Sequence, residues 1–395
     1  MTQFNLNLGP ISAINIQKFV FIASVLFFVC GQAGSISFNN TRISLLDIGV
    51  VGLLAIYTTI HKKLKMLLYL KIFLPFLLVA VISLVVQINR LSYMNWLISS
   101  LFLVRFALYT SLIVTIPSLP LSQKQLLKFI WLGGVSLALV GLGQYILYPN
   151  LRNLLYLGWD PHQFRVFSTM LDPNFTGILM VLALILGLLL KNHLFSMAKV
   201  LEIFILFLAF LLTFSRGAYI SLITMFLLWS ILNRKLVIFF LFNFAFILTL
   251  LWLPKPSGEG VNLLRELSIR SRISNDAHAI SLIQQSPFIG QGFNTLRYTR
   301  KENKSESIGE NNSHSGAGFQ NSWLFILATT GIIGLFAYIW MWKVIFVTTR
   351  INQLILYSAG AVFVHSLFDN SLFFPPIMYW LFTLIGVGIK LDKLK

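Results

Sequence analysis

Residues 198–232 read AKVLEIFILFLAFLLTFSRGAYISLITMFLLWSIL. Two apolar runs, 198–214 and 217–232, are separated here by almost no polar sequence. A helix of about 20 apolar residues, rising 1.5 Å per residue, crosses the hydrocarbon core of a bilayer. The stretch therefore predicts two membrane helices whose ends meet at Ser215-Arg216-Gly217.

The rest of the chain is also strongly apolar. Of its 395 residues, 57% are hydrophobic and only 11% are charged, which excludes an ordinary soluble globular protein. We predict an all-α integral membrane protein that forms a single polytopic domain over residues 1–395. About twelve transmembrane helices are expected, near 14–31, 43–60, 66–88, 94–116, 126–148, 174–190, 198–214, 217–232, 236–253, 322–346, 352–370 and 372–389.

The positive charge sets the orientation. The formal net charge of +18 is dispersed over short loops, so membrane lipid is the expected partner and nucleic-acid binding is not expected. Lysines at 62, 63, 65, 124, 128, 191, 199, 390, 393 and 395 fall on one side with both termini, which predicts that this side is cytoplasmic. No cleavable signal peptide is evident, and the lone Cys30 gives no disulfide framework.

The polar segment 254–321 is predicted to be one large, partly helical extracytoplasmic loop that carries the functional site. Apolar residues recur near the helical period over 262–285, and Arg265 and Arg272 share another face of that helix. Proline and glycines in 287–292 stop the helix, and a basic, then Asn/Ser/Gly-rich linker follows.

Arginine is concentrated on the predicted outer side. The cytoplasmic set is mostly lysine, whereas the outer set is Arg42, Arg90, Arg152, Arg165, Arg216, Arg265, Arg270, Arg272, Arg297 and Arg300. The planar guanidinium binds phosphate through two hydrogen bonds, so phosphate binding is one interpretation of this bias, with lipid headgroup contacts and chance as the alternatives. Arg216 is the sharpest candidate because it lies between two apolar runs, although it could also extend to the headgroups.

Other charged residues have more than one interpretation. Arg165 precedes Asp172-Pro173-Asn174, a predicted helix start, and lies on the same side as Arg216. Arg105, inside a span, is either a structural hydrogen-bonder or part of the same cationic pocket. His365 and Asp369 are four residues apart and form either a proton relay or a structural pair.

Histidine supplies the candidate base. His314 in the linker could accept a proton from a hydroxyl near neutral pH, with His278 as the alternative and an inert linker residue as the simpler interpretation. The outer acids form no ligand-spaced cluster with histidine, so no metal and no cofactor are predicted.

Four stretches together resemble the O-antigen ligase and polysaccharide polymerase family of bacterial membrane glycosyltransferases. They are Arg165 through Asn174, Thr213-Phe214-Ser215-Arg216-Gly217-Ala218, Ser286-Pro287-Phe288-Ile289-Gly290-Gln291-Gly292-Phe293, and Asn321-Ser322-Trp323-Leu324 through Thr330-Gly331-Ile332-Ile333-Gly334-Leu335.

The resemblance implies transfer or polymerisation of a polyprenyl-diphosphate-linked glycan, such as O-antigen, capsule or exopolysaccharide, outside the bacterial plasma (inner) membrane. The acceptor would be a glycan or a lipid-linked glycan such as lipopolysaccharide core. By position, Arg165, Arg216 and the Arg270/Arg272 pair match the arginines that would hold the pyrophosphate.

The chain departs from the family at one place, where many members have a His-Asn pair and this sequence has Gln320-Asn321. Either His314 acts with Arg216 in catalysis, or Gln320 and Asn321 only position the acceptor. The alternative function is a transporter or flippase of a lipid-linked or anionic solute, which would need charged groups along the full membrane path.

Overall fold

The fold is a bundle of apolar helices, seen in a computed structural model that describes residues 10–38, 41–60, 67–157, 159–190, 196–253, 256, 259–263, 265–298 and 318–392. In chain order the α-helices are α1 Pro10–Cys30, α2 Leu45–Ile60, α3 Leu67–Val86, α4 Tyr93–Thr110, α5 Leu112–Ser118, α6 Gln123–Leu147, α7 Pro173–Leu189, α8 Met197–Leu211, α9 Arg216–Leu232, α10 Leu236–Trp252, α11 Glu266–Gln285, α12 Ser322–Thr349, α13 Gln353–His365 and α14 Pro375–Asp392. Short 3-10 turns lie at Arg152–Leu157, Ser168–Met170 and Glu259–Val261.

Every apolar run in the sequence coincides with a helix, and the chain is an α-helical membrane protein. Three helical stretches, Tyr93–Ser118, Gln123–Leu147 and Ser322–Thr349, are long and apolar enough to cross a bilayer by length and composition. Eight further apolar helices in the described residues are 10–17 residues long. The crossing number of twelve and the membrane side of each loop stay predictions.

One element was missed by the all-α prediction. Strands β1 Ser35–Phe38 and β2 Thr41–Ser44 form an antiparallel hairpin, with Ser35 opposite Ser44. The sequence assigned Ile43 and Ser44 to the span beginning at 43, because a short strand that runs into an apolar helix gives no separate periodic signal. The hairpin places Arg42 beside the loop between α6 and α7, where its Nη2 donates to the Leu157 carbonyl at 2.9 Å.

Helix α7 is the central element of the bundle. All its residues from Thr176 to Gly187 are buried, and it packs against α6, α8, α9 and α13. A helix that is apolar all round is expected in such a position. Its first turn opens at the end of the bundle where the polar residues collect.

Helix α12 is broken at Gly331, whose φ of 65° and ψ of −170° interrupt the helical hydrogen-bond ladder. The segment 286–292, which follows α11, fills the break with its own backbone. The amides of Gln291 and Gly292 donate to the carbonyls of Ala328 and Thr329, both at 2.9 Å, and the amide of Ile332 donates to the Pro287 carbonyl at 2.8 Å.

These bonds supply partners for backbone groups that the broken helix leaves unpaired, as the interior of a membrane bundle requires. A part of the predicted outer loop therefore inserts between the helices, with Phe293 and Leu296 buried in the same core as α3 and α12.

Two glycines permit this contact. Gly290 has a φ of 75°, and a Cβ on it would lie 2.3 Å from the Thr329 carbonyl carbon. A Cβ on Gly331 would lie 2.2 Å from the Phe288 carbonyl oxygen. The two glycine motifs in the sequence are therefore two halves of one backbone-to-backbone contact.

We expect Gly331→Ala to destabilise the protein by at least about 2 kcal/mol, because a left-handed conformation costs a non-glycine residue about 1–3 kcal/mol and the added methyl group also meets main chain. Thermal unfolding of the purified protein in detergent measures this. Gly143→Ala in α6 is the matched control, since a Cβ there has no atom within 4 Å. Equal unfolding temperatures for the two variants would contradict the contact.

Candidate functional site

A cavity of about 570 Å³ lies at the end of the bundle where α7, α9, α12 and α14 begin. Its charged lining residues are Arg42, Arg105, Asp160, His162, Arg165, Asp172, Arg265, Arg272, Arg297 and Asp369. An aromatic wall faces them, with Phe102, Phe106, Phe175, Phe293, Phe325, Phe373 and Phe374. Six arginines against three aspartates give this described part of the lining an excess of positive charge.

Arg165 links the loop between α6 and α7 to the turn between α8 and α9, at the wall of the cavity. Its side chain is 2% exposed, and Nε donates to the Thr213 carbonyl at 2.7 Å while Nη2 donates to the Phe214 carbonyl at 3.3 Å. These carbonyls belong to the turn between α8 and α9, where Phe214 has a φ of 48°. Burial, followed by the charge of Arg265, lowers the pKa of Arg165 to about 9, which still leaves it a cation at neutral pH.

Three further arginines approach the same point. Arg265 precedes α11 and is 8% exposed, and its Nη1 donates to the Gly260 carbonyl. Burial, then the charges of Arg216 and Arg272, lower the pKa of Arg265 to about 10. Arg216 opens α9 and donates to the Leu263 carbonyl at 3.3 Å. Like charges held this close favour an anion between or beside them.

Asp369 is the acid that faces this cluster most directly. It lies in the loop between α13 and α14, and Arg272 Nη2 approaches its Oδ1 at 3.3 Å. Asn174 Nδ2 donates to the same oxygen at 3.4 Å, and Asn174 Oδ1 accepts from Arg165 Nη2 at 3.2 Å. Burial raises the pKa of Asp369 to about 7, against the opposing effect of Arg272.

His365 lies behind Asp369 and does not line the cavity. The histidine is fully buried, its Nδ1 is 2.6 Å from Ser371 Oγ, and its Nε2 is 3.8 Å from Asp369 Oδ2. A Cβ on Gly217 would lie 3.2 Å from the imidazole, so the start of α9 packs directly on the ring. The predicted His365–Asp369 contact exists, and the described residues around it place it at this one end of the bundle.

Arg105 combines both roles that the sequence left open. Its Nη2 pairs with Asp47 Oδ2 at 3.0 Å and also donates to the Arg42 carbonyl, and Tyr109 OH donates to Asp47 Oδ1 at 2.9 Å. The guanidinium also lines the cavity. Arg42 covers the Trp159 ring at 4.5 Å, so an arginine and an aromatic ring form this side of the opening.

Helix starts add to the positive potential. Asp172 caps α7, Ser215 caps α9 and Asn321 caps α12, each through its side-chain oxygen. The N-terminal end of a helix carries about half a positive charge, so three such ends and the arginines act in the same direction.

The predicted site residues fall into three groups. Arg165, Arg272 and Gln320 line the cavity, and Arg216 lies next to the lining arginines. Arg270 is elsewhere: its side chain is 78% exposed and pairs with Glu266 along α11, so of the two arginines Arg272 is the one that points inward.

Asn321 accepts from the amides of Trp323 and Leu324 and is not among the lining residues, so the structure shows a helix cap where a substrate contact was predicted. His314 lies outside the described residues. The alternative base, His278, packs against the Phe319 ring at 6.1 Å and does not line the cavity either.

Sequence reasoning missed Arg265 and His162 as site residues. Arg265 was placed on the same helix face as Arg272, which was the available signal. His162 precedes Arg165 by three residues, in a loop without regular periodicity, and only its proximity to that arginine pointed to the site.

Several unpartnered polar atoms lie at this cavity. Within the described residues, five buried side-chain atoms in or next to its wall have no hydrogen-bond partner: His162 Nε2, Arg272 Nε, Gln320 Oε1, His365 Nε2 and Asp369 Oδ2. Native proteins pair nearly all buried polar groups, so this set of donors and acceptors suits a polar ligand. Within the ranges that the structure describes, no three His, Cys, Asp or Glu side chains are grouped to hold a metal ion.

Residues 201–339 match the family model described as O-antigen ligase. The resemblance to the O-antigen ligase family is confirmed. The match runs from α8 to the middle of α12 and includes Arg216, Arg265, Arg272 and Gln320. It supports a glycan-transfer function in a membrane. Among curated proteins, none matches the chain.

The pKa of Asp369 gives a prediction about stability and pH. The carboxyl ordinarily titrates near 3.8 and titrates near 7 in the folded protein, so the folded state holds a proton that the unfolded chain has released between these values. Stability from this group is therefore lost as pH rises from about 4 to about 7. We expect Asp369→Asn to weaken the fall in the unfolding temperature between pH 5 and pH 8.

Thermal unfolding of both proteins in one detergent at the two pH values measures the difference. Asp369→Asn also leaves Arg272 without an acid, which lowers stability equally at both pH values. This loss drops out because only the change in unfolding temperature between the two pH values is compared. Parallel curves would mean that Arg272 keeps Asp369 ionised throughout.

Proposed function

We propose that the protein transfers or polymerises a polyprenyl-diphosphate-linked glycan, and that the cavity binds the reacting diphosphate and sugar. The observation that carries this proposal is the convergence of Arg165, Arg216, Arg265 and Arg272 at one cavity of about 570 Å³. The O-antigen ligase match over 201–339 supports the same reaction class.

The arginine side of the cavity suits a diphosphate. Arg272 has a buried Nε with no partner among the residues that the structure describes, so this N–H is left to donate to an oxygen of a ligand. Arg165 keeps its neighbours in place through two backbone carbonyls and Asn174, which fixes the cationic wall before substrate arrives. Preorganised donors of this kind stabilise charge that develops on a leaving group without reorganisation during the reaction.

The aromatic side suits the polyprenyl chain. Phe175 and Phe374 stack at 4.1 Å, and Phe373 contacts the rings of Phe106 and Phe325. An isoprenoid segment next to the diphosphate is apolar and would lie against this wall, while the sugar would face the polar wall. A cavity with both faces fits a lipid-linked glycan better than it fits a free ion.

The chemistry follows from this placement. A hydroxyl of the acceptor glycan attacks the anomeric carbon of the donor, and the bond to the diphosphate breaks. Negative charge then grows on the diphosphate, where the guanidinium groups stabilise it. The proposed setting is the outer face of a bacterial plasma membrane, with both termini on the cytoplasmic side.

A transporter or flippase needs ionisable groups along the whole membrane path. The described arginines of this cluster lie at one end of the bundle. A separate contact joins the first turns of α8 to α6, where Lys199 lies over the Trp131 ring at 3.4 Å and Trp131 Nε1 donates to Glu202 at 2.8 Å. The arrangement favours transfer at one surface over passage through the protein.

The test is the glycan profile of cells that lack the protein and are complemented with variants at matched membrane levels. We expect Arg272→Lys and Arg216→Lys each to reduce long-chain or transferred glycan by about 10-fold or more, because lysine keeps the charge and loses the planar fork. Gel separation of the extracted glycan gives the measurement.

Arg90→Lys is the matched control, since Arg90 is exposed near the same end and does not line the cavity. We expect it to behave like the wild-type protein. If both cavity variants also retain the full profile, the diphosphate site is wrong, and accumulation of donor on the inner leaflet would favour a flippase.

A further inference from the structure

His162 is the histidine that lines the cavity within the described residues. We propose that His162 accepts the proton of the attacking acceptor hydroxyl. The inference rests on the proposed glycan transfer and names the group that would activate the acceptor.

The backbone holds His162 at the cavity from both sides. Its carbonyl accepts from the Leu151 amide at 2.9 Å, and its amide donates to the Asp160 carbonyl at 2.8 Å. The next residue, Gln163, forms an antiparallel bridge with Asn150. The loop between α6 and α7 is therefore fixed at this point, and the imidazole is presented from a defined backbone.

The imidazole of His162 carries a buried nitrogen that the described residues leave unpaired. Nε2 is enclosed by protein and has no hydrogen-bond partner in the described part of the chain. With the other ring nitrogen carrying the hydrogen, Nε2 offers a lone pair to a hydroxyl. Such an unpaired buried nitrogen is unfavourable in the free protein, and it is the kind of exception found where a substrate completes the bonding.

The surroundings keep the ring neutral. Burial, then the charges of Arg165 and Arg265, hold the pKa of His162 well below its ordinary value. The remaining charged groups of the same cavity are Arg42, Arg105, Arg272, Arg297, Asp160, Asp172 and Asp369. The neutral imidazole keeps a lone pair on one ring nitrogen across the physiological pH range, and the neighbouring cations make it a weaker base than an ordinary histidine, one that releases its proton readily.

Two of the three lining carboxylates already hold protein groups. Asp172 accepts from the amides of Asn174 and Phe175 as the cap of α7, and Asp369 Oδ1 is engaged by Arg272 and Asn174. Asp369 Oδ2, like His162 Nε2, has no hydrogen-bond partner in the described part of the chain. Protonation of Asp369 would weaken its pairing with Arg272, whereas a proton on His162 Nε2 breaks no contact within the described residues.

The acceptor oxygen forms a bond to the anomeric carbon, the bond from that carbon to the diphosphate breaks, and its electron pair stays on the diphosphate oxygen. The hydroxyl proton moves to Nε2. Because an imidazolium beside Arg165 and Arg265 is unfavourable, the proton passes to the departing diphosphate and the neutral ring is restored.

The experiment uses washed membranes that contain the full-length protein, supplied with lipid-linked glycan extracted from cells that lack it. We expect His162→Ala and His162→Gln each to lower the transfer rate by about 100-fold, a usual contribution of a general base, with little change in the amount of donor bound. Added imidazole restores part of the activity of the alanine variant, and the restored rate rises with pH as imidazole loses its proton.

His278→Ala is the matched control, a histidine of α11 that lies outside the cavity lining, and neither its rate nor its response to imidazole should change. An inactive wild-type protein in this assay would count against the proposed transfer itself. An active wild-type protein together with a near-normal His162→Gln, or a folded His162→Ala that imidazole does not restore, would overturn the role of His162 as proton acceptor.

Discussion

Hydrocarbon offers no hydrogen-bond partner, so each backbone group that leaves a helix inside the bilayer must find one within the protein. Two interruptions in this bundle meet that constraint in different ways. The break in α12 at Gly331 is closed by the backbone of 286–292. The turn between α8 and α9 is closed by a side chain, since Arg165 binds the carbonyls of Thr213 and Phe214. Both solutions bring polar groups to the same end of the bundle.

The arginine cluster follows from the second solution. A guanidinium that satisfies two carbonyls is fixed in place, and its charge cannot be removed without exposing those carbonyls. Asn174 accepts a hydrogen bond from Arg165 and donates one to Asp369, and Asp369 pairs with Arg272 on α11. Structural bonding and binding capacity are therefore parts of one network, which runs from the α6–α7 loop through the start of α7 to the polar segment.

Much of the fold could be predicted because apolar length is a strong signal, and each predicted apolar run contains a helix. The hairpin at Ser35–Ser44 could not, because eight strand residues next to an apolar helix leave no distinct pattern. The positions of Arg165 and Arg216 at or next to the candidate site were predictable because both lie between predicted spans. The choice of Arg272 over Arg270 was not, since the two side chains lie about 200° apart around α11 and the sequence does not fix which side of that helix faces the bundle. Asn321 shows a further limit of prediction from sequence. An asparagine at the start of a helix can cap that helix or bind a ligand, and the residue type alone does not distinguish the two.

The break in α12 also limits how the sequence can vary. The contact at Gly290 and Gly331 joins main-chain atoms, so a larger residue at one position cannot be offset by a smaller side chain at the other. The residues around the contact are under a weaker limit, since Phe288 is 67% exposed and Ile333 49%. Random mutagenesis of this region should therefore separate two kinds of position. Almost every substitution of the two glycines should prevent folding, whereas their exposed apolar neighbours should tolerate exchange for other apolar residues.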